Sequence, residues 1–448
     1  MTDNHNYNTP KKGATDWHIP LNDNFASIDT DMEVRDREAA LSQYVPKDGA
    51  KFVATDTLNV FFGDGTSWTK AYRAGGTGGS DINDLARGML VYVSAGTGRQ
   101  VIDPTGSATP IQDAMDAISE NNSTGGGHIY LPAGTIREAG PIRPAQRTDI
   151  TGIGGYGRTE TESQIRITGD GNHAFMFDMA YGQMQSTYQS FGVNMDRDGR
   201  DAEGAAAIYY SGTGGEPHLI TWRDIHLRLG VGPAIYAENT SAPFEITHDQ
   251  IRIEQWDAGD YNAVIEWLSG GAPVKWGVMA FYPDTEVSGK HSHIFGAIEG
   301  NHVIDIMNIG GSPLKAIDSF SARIVCQMIN WEPHPDHREG AAPSALCTLG
   351  AEGSVINYLQ MYGSTSTAPH AYELVQDNSD RLGNLQLAVP SLEPRTDPAS
   401  FTTGTVVDVR HDTSGPIVYR GYSSDVTNNA GTTLSHPVAC LGDLTTVS

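Results

Sequence analysis

Between Phe191 and Leu387 the chain repeats one short pattern, and that repetition limits the fold more than any other feature. Each unit is a brief alternating run bounded by polar or glycine turns. The runs are Phe191-Gly-Val193-Asn-Met195, Ile225-His-Leu227-Arg-Leu229, Ile251-Arg-Ile253-Glu254 and Val278-Met-Ala-Phe281. Val303-Ile-Asp-Ile306, Ile324-Val-Cys-Gln-Met328, Val355-Ile-Asn-Tyr358 and Leu385-Gln-Leu387 follow, with successive starts mostly 22 to 34 residues apart. One strand signature per unit of that length marks a stack of coils, because no coil buries its own apolar face and neighbours must do it. A β-sandwich spaces its strands about 8–12 residues apart. Helical repeats need runs of about ten or more periodic residues per unit, and none is present. The expected class is therefore all-β, a right-handed parallel β-helix over about Thr109–Pro390, with Val193, Ile225 and Ile251 in one inward column.

The ends of such a stack need covering, since an open coil exposes a strand edge and apolar side chains. Thr109-Pro110 reads as an N-cap followed by proline at the first helical position. Ile111, Ala114, Met115 and Ile118 then share one helical face, so this helix is expected to cap the first coil. Before it, Asp16-Trp-His18 leads into Leu21, Phe25, Ile28 and Met32, an amphipathic pattern that suits either a short coiled coil between subunits or a helix on its own subunit. Val60 to Trp68, turning at Gly63-Asp-Gly65, reads as a hairpin, and Ala74–Ser80 as a glycine-rich linker. After Pro390, Val406–Val409 and Ile417–Tyr419 read as strands of a different kind, a terminal cap or trimer contact. The expected division is 1–80, 81–395 and 396–448.

Charge narrows the partners. The 29 basic and 54 acidic residues give a net charge of −25, which argues against duplex nucleic acid and against docking on an anionic membrane. Lysine occurs only at 11, 12, 47, 51, 70, 275, 290 and 315. An acidic, lysine-poor surface suits concentrated salt, where repulsion is screened within a few ångströms; an ordinary acidic extracellular protein is the alternative. Cys326, Cys347 and Cys440 form no disulfide framework and no metal-like spacing. The N-terminus carries no apolar leader and the chain no run of 18 apolar residues, so the expectation is synthesis in the cytoplasm, no signal peptide and no membrane insertion.

Thr109-Pro-Ile-Gln-Asp-Ala-Met-Asp-Ala-Ile118 with Gly126-Gly-His-Ile-Tyr-Leu-Pro-Ala-Gly134, followed by Gly152-Ile-Gly154, resembles the opening coil of the pectate-lyase-like (polygalacturonase-like) superfamily, which includes many phage tailspikes. The likeness is close over about 109–170 and architectural beyond. Asn8-Thr-Pro, Asp16-Trp-His, Leu21-Asn-Asp-Asn-Phe25 and Phe62-Gly-Asp-Gly-Thr-Ser-Trp68 are similar to virion-attachment ends of tail fibres and tailspikes, including those of haloarchaeal viruses. The resemblance implies a homotrimeric tail protein, mounted on tail or baseplate proteins through residues 1–80, that meets a host glycan or glycosylated S-layer.

Glycoside cleavage needs two carboxylates facing one sugar. Aligning Val193, Ile225 and Ile251 places Asp196, Arg228 and Glu254 at equivalent positions on neighbouring coils, with the two acids about 10 Å apart across two rungs. Arg228 between them suits a carboxylated sugar. The competing reading is a surface ion-pair ladder. Asp196, Asp198, Asp201 and Glu203 alternate around Gly199, partly like a calcium loop but without its closing bidentate glutamate. The reading is that no cofactor is required, with Ca²⁺ or another divalent cation as the candidate; the alternative is a plain acidic loop. Glu332, His334, Asp336, His337 and Glu339 offer ligands for a transition metal or form a polar loop. Aromatic faces stack on sugars, which singles out Trp222, Trp256, Tyr261 and Trp331, with Tyr209, Tyr210, Trp267 and Trp276 also available; the alternative for about half of them is packing in the core or between subunits.

The favoured expectation is a non-catalytic tail fibre or tailspike that binds the host surface. The alternatives are a tailspike depolymerase (a glycoside hydrolase or polysaccharide lyase), a cellular enzyme of that kind, and a capsid turret or decoration protein.

Overall fold

The computed structural model describes residues 34–73 apart from 48, 49 and 58, and residue 85. From 88 to 448 it describes all but 95–97, 121–125, 155–161, 170–172, 179–182, 196–204, 212–216, 230–231, 239–242, 255–261, 271–272, 283–292, 311–314, 320, 333–344, 363–369, 376–381, 389 and 394–405. Of residues 1–33 only 16 is described, so the expected helix from Asp16 to Met32 lies outside the described residues, as does the linker 74–80. The chain divides into two units, Met1–Asp84 and Leu85–Ser448.

In the first unit Val34–Asp36, Lys51–Ala54, Asn59–Gly63 and Trp68–Arg73 form one four-stranded sheet. The expected hairpin is present, with Asn59–Gly63 antiparallel to Trp68–Arg73. Its turn is set by Asp64, whose carboxylate accepts from the Thr66 and Ser67 backbone at 2.8 and 2.6 Å. Phe52, Phe61, Val34 and Ala54 make a small core of their own.

The second unit is a right-handed parallel β-helix. Parallel crossovers of twisted strands wind in that sense. Each full coil contributes one long strand and one short strand. The long strands are Gln183–Asn194, His218–Arg228, Phe244–Glu254, Val274–Tyr282, Asn301–Gly310 and Arg323–Glu332, paired in that order. The short strands run from Phe175–Phe177 to Val426–Asn428 in a separate sheet. Ser190, Asp224 and Gln250 interrupt successive long strands with φ of 61°, 51° and 55°. They stack because Gln189, Arg223 and Asp249 pair before them, and Phe191, Ile225 and Ile251 after them. One left-handed residue thus divides each of these three strands into an upstream limb and a downstream limb, the later long strands pair onto both limbs, and the solenoid has three faces.

The core follows from alternation. On the upstream limb Tyr188, Trp222, His248, Trp276, Ile304, Cys326, Ile356, Leu387, Tyr419 and Cys440 pair in sequence and are all buried. Val193, Ile225 and Ile251 are buried as expected. Each large apolar side chain moved out of water contributes about 1.5–3 kcal/mol. His248 sits inside this column, stacked on Trp276 at 4.3 Å. Burial holds His248 down at about 3 and His302 at about 4. Both stay neutral near pH 7. The stability they permit is complete above the ordinary value of 6.5 and fades as the pH falls toward those values.

Antiparallel strands close both ends. Leu90–Ser94 pairs antiparallel with Gly127–Tyr130 and with Gly98–Ile102. The helix Pro110–Glu120 buries Ile111, Ala114, Met115 and Ile118 as the sequence predicts. Its first residue is Pro110 with Thr109 before it, as expected, and Asp113 N donates to Thr109 O at 2.8 Å. Thr109 Oγ1 donates to Asp113 at 3.0 Å, and Glu138 Oε2 accepts from Ile111 N at 2.9 Å. At the other end the expected separate region 396–448 is corrected. Val407–Val409 pairs parallel with His370–Leu374, and Ile417–Tyr419 with Leu385–Leu387. They are further coils, because Val407, Val409, Ile417 and Tyr419 continue the inward columns. The cap reduces to Thr445–Val447, antiparallel on Val438–Cys440.

Glu138 is fully buried, and desolvation raises its carboxyl from 4.5 to about 8. Its contribution is therefore complete below pH 4.5 and is lost as pH rises through about 8. Glu138→Gln keeps an oxygen for Ile111 N and removes the charge. Denaturant unfolding from pH 5 to 9 should show the wild type losing on the order of a few kcal/mol relative to the variant. Parallel pH profiles would place Glu138 in water.

Candidate functional site

The downstream limb turns alternate residues outward, and these form ladders along the helix. One row is Gly192, His226, Arg252, Ala280, Asn308, Asn330 and Gln360. The next is Asn194, Arg228, Glu254 and Tyr282. Glu254 lies at the centre of a built cluster. Its Oε1 accepts from Arg252 Nε at 2.7 Å and Nη2 at 2.6 Å. Its Oε2 is 3.2 Å from His226 Nε2. The Arg252 guanidinium lies 4.4 Å over the Tyr282 ring. Farther along, Asn330 Nδ2 donates to Asn308 Oδ1 at 2.9 Å. Two-point donation from arginine to one carboxylate fixes both side chains, and the cation above the ring adds about 0.5–1 kcal/mol at an exposed site. The result is a rigid strip of donors, acceptors and one aromatic, spaced about 4.8 Å apart along the axis.

The structure keeps Arg228 and Glu254 as neighbours and corrects the third member of the expected trio. Asn194, not Asp196, pairs with Arg228. Val193 pairs with Leu227, and Phe191 with Ile225, so the expected alignment slips by two residues. Asp196 lies outside the described residues, as do Asp198, Asp201, Glu203, Trp256, Tyr261, His334, Asp336, His337 and Glu339. Among the described residues no group of three or more metal-ligating side chains occurs, and no helix is long and apolar enough to cross a membrane.

Two aromatic assignments are overturned. Trp222 and Trp331 are both fully buried, as are Trp267, Trp276 and Tyr210. Trp222 follows the outward Thr221, so alternation turns it inward, where its Nε1 donates to Tyr210 Oη at 3.1 Å. A large apolar surface with one satisfied polar atom is suited to a core.

Apart from Tyr209, the outer row of the short sheet carries groups that the sequence pattern did not single out. It runs Met176, Tyr209, Tyr236, Glu266, Gly296, Asp318, Thr348, Glu373 and Asp408. The Tyr209 and Tyr236 rings are parallel at 5.8 Å. Glu266 is buried, and desolvation raises its carboxyl against hydrogen bonds from Asn262. Asp318 is paired with Lys315 at 2.9 Å and approached by His293 at 3.4 Å. Gly296 leaves a rung without a side chain between the two acids. Only the paired register brings Glu266 and Asp318 together, and short strands of three to five residues give little alternation from which to read it.

Comparison with known protein families, curated proteins and solved structures finds no match to this chain.

Trp222→Ala should cost about 3–5 kcal/mol of stability as a core truncation, measured by denaturant unfolding. A loss below about 1 kcal/mol would mean the ring is on the surface.

Proposed function

We propose that the chain is a fibre-like virion protein, a tail fibre or tailspike, that holds an extended host-surface glycan along its downstream-limb ladder. The observation that carries this reading is the Glu254 cluster. Arg252 and the buried His226 both reach the Glu254 carboxylate, and the Arg252 guanidinium lies over the Tyr282 ring on the outward side of the downstream limb. A polyhydroxylated polymer needs alternating donors and acceptors at fixed spacing, and the ladder supplies them through Arg228, Glu254, Asn308, Asn330 and Gln360. A solenoid also suits long ligands, because each coil repeats the same geometry. The virion setting, with residues 1–80 as the attachment region, rests on the resemblance at the N-terminal end. The net charge of −25 fits action in concentrated salt.

Arg252→Ala and Glu254→Gln should each weaken binding of purified host-surface glycan in molar salt by about tenfold, equivalent to ~1.4 kcal/mol, with unchanged thermal unfolding. Calorimetric titration measures this. Undiminished affinity in both variants would overturn the assignment of the ladder.

A second reading, a depolymerase, is favoured by Glu266 and Asp318. Two rungs separate them, about 10 Å, close to the spacing of inverting glycosidases at about 6.5–9.5 Å. Glu266, whose burial favours the protonated form, has the character of an acid, and Asp318, ion-paired with Lys315, that of a base. Under this reading the wild type releases reducing ends from the glycan and Glu266→Gln abolishes the release. Release of equal rate from the variant would exclude this pair.

A further inference from the structure

Toward the N-terminal end the upstream limb continues as Thr148–Thr151 and Gly127–Tyr130, paired in turn onto Gln183–Asn194. Ile129, Ile150 and Tyr188 are buried, so alternation turns their neighbours outward. Those neighbours form one connected cluster. Thr151 Oγ1 lies 2.9 Å from His128 Nε2. Gln189 Nε2 donates to the same Oγ1 at 3.2 Å. His128 Nδ1 is 3.8 Å from Asp149 Oδ2, and Asp149 Oδ1 accepts from Thr187 N at 2.7 Å. The His128 and Tyr130 rings are stacked, 4.2 Å apart and 10° from parallel. His128, Asp149, Thr151 and Gln189 are all half-buried, within reach of a ligand.

Chemistry fixes the direction of these bonds. An amide nitrogen only donates, so the Thr151 oxygen accepts from Gln189 and directs its own proton to His128 Nε2. Nε2 is then the acceptor, and the imidazole carries its proton on Nδ1, facing Asp149. A hydroxyl, its base and the carboxylate that orients the base stand in the order that activates a nucleophile. The outer members are held in turn, Asp149 by the Thr187 backbone and the imidazole plane by Tyr130. Burial lowers His128 from its ordinary value, with Asp149 opposing, so the base is neutral near pH 7.

We propose that Thr151, His128 and Asp149 form an esterase site whose substrate is an ester of a small carboxylic acid. Thr151 Oγ1 bonds to the ester carbonyl carbon as its proton passes to His128 Nε2. The ester C–O bond then breaks, and the departing alcohol takes that proton. Water is the second reactant. It attacks the acyl-threonine, gives a proton to His128, releases the carboxylic acid and restores the threonine hydroxyl. Gln189 Nε2 carries two protons, and the second one meets the oxyanion that develops beside Oγ1. With a single side-chain donor for that charge, the site suits an ester, whose alcohol leaves more readily than an amine. Asp149 is a positioning residue, acting through His128. The cluster is on the upstream limb and the Glu254 cluster on the downstream limb, so this inference does not depend on the glycan reading.

The test follows hydrolysis of para-nitrophenyl acetate by the full chain in molar salt. Thr151→Val and His128→Gln should each lower kcat by about a hundredfold or more, with unchanged thermal unfolding. Thr151→Ser should retain turnover, and Thr221→Val, on the same face, should match the wild type. Acid quenching followed by peptide mass spectrometry should find the acetyl group on Thr151. The wild-type rate should rise with pH to a plateau, half-complete below pH 6.5, because the base acts when neutral. The titratable groups facing it are Asp149 and Tyr130. Asp149→Asn should lower kcat and move that half-point to still lower pH, since the carboxylate favours the charged imidazole. A wild type no faster than Thr151→Val overturns the inference. So does acetyl found on other side chains and not on Thr151, or a Thr151→Ser variant as slow as Thr151→Val.

Discussion

The inward column of the upstream limb is what the rest of the molecule depends on. Tyr188, Trp222, His248, Trp276 and Ile304 stack rung upon rung, and the short sheet packs Phe175, Tyr210, Trp267 and Phe295 against them. Parallel strands give no close hairpin to hold a coil in place. Each coil stays because its inward side chains lie on those of its neighbours. The same stacking fixes the register of every outward residue. Glu254 meets Arg252, His226 and Tyr282 only because Ile251 and Ile253 are seated inside.

Much of this was legible in the sequence. The recurring alternation showed one strand per coil, and the helix pattern of Ile111, Ala114, Met115 and Ile118 showed the cap. The errors have a common physical cause. A slip of one residue turns a strand inside out and is visible in the apolar pattern. A slip of two leaves the same faces inside and out, so Val193 fits opposite Ile225 as well as opposite Leu227. The apolar code could not detect that shift, and it put Asp196 where Asn194 stands. Trp222 and Trp331 were misplaced for a different reason. Their size suggested sugar stacking, but alternation past Thr221 and Asn330 turns both inward. The last coils, Val407–Val409 and Ile417–Tyr419, are too short to carry a period of their own. Only their pairing reveals that they continue the stack.

The three outer faces differ in chemistry although one scaffold builds them. The downstream limb presents mixed donors and acceptors around Glu254. The short sheet presents parallel tyrosines and then buried acids. The upstream limb presents threonine and valine beside exposed ion pairs, Arg223 with Asp249 and Lys275 with Asp305, each at 3.6 Å. A solenoid allows this division because outward residues do not bear on stability as inward ones do, so each row can be used separately.

The register around Glu254 is the claim on which both the ladder and its proposed ligand stand. Paired cysteines test it directly, because a disulfide needs Cα atoms about 4.4–6.8 Å apart and adjacent parallel rungs satisfy that. The account predicts that Arg228→Cys with Glu254→Cys oxidises to an intramolecular disulfide in the folded protein, while Asn194→Cys with His226→Cys, two residues out of register, stays reduced. Cross-linking of the second pair and not the first would contradict it.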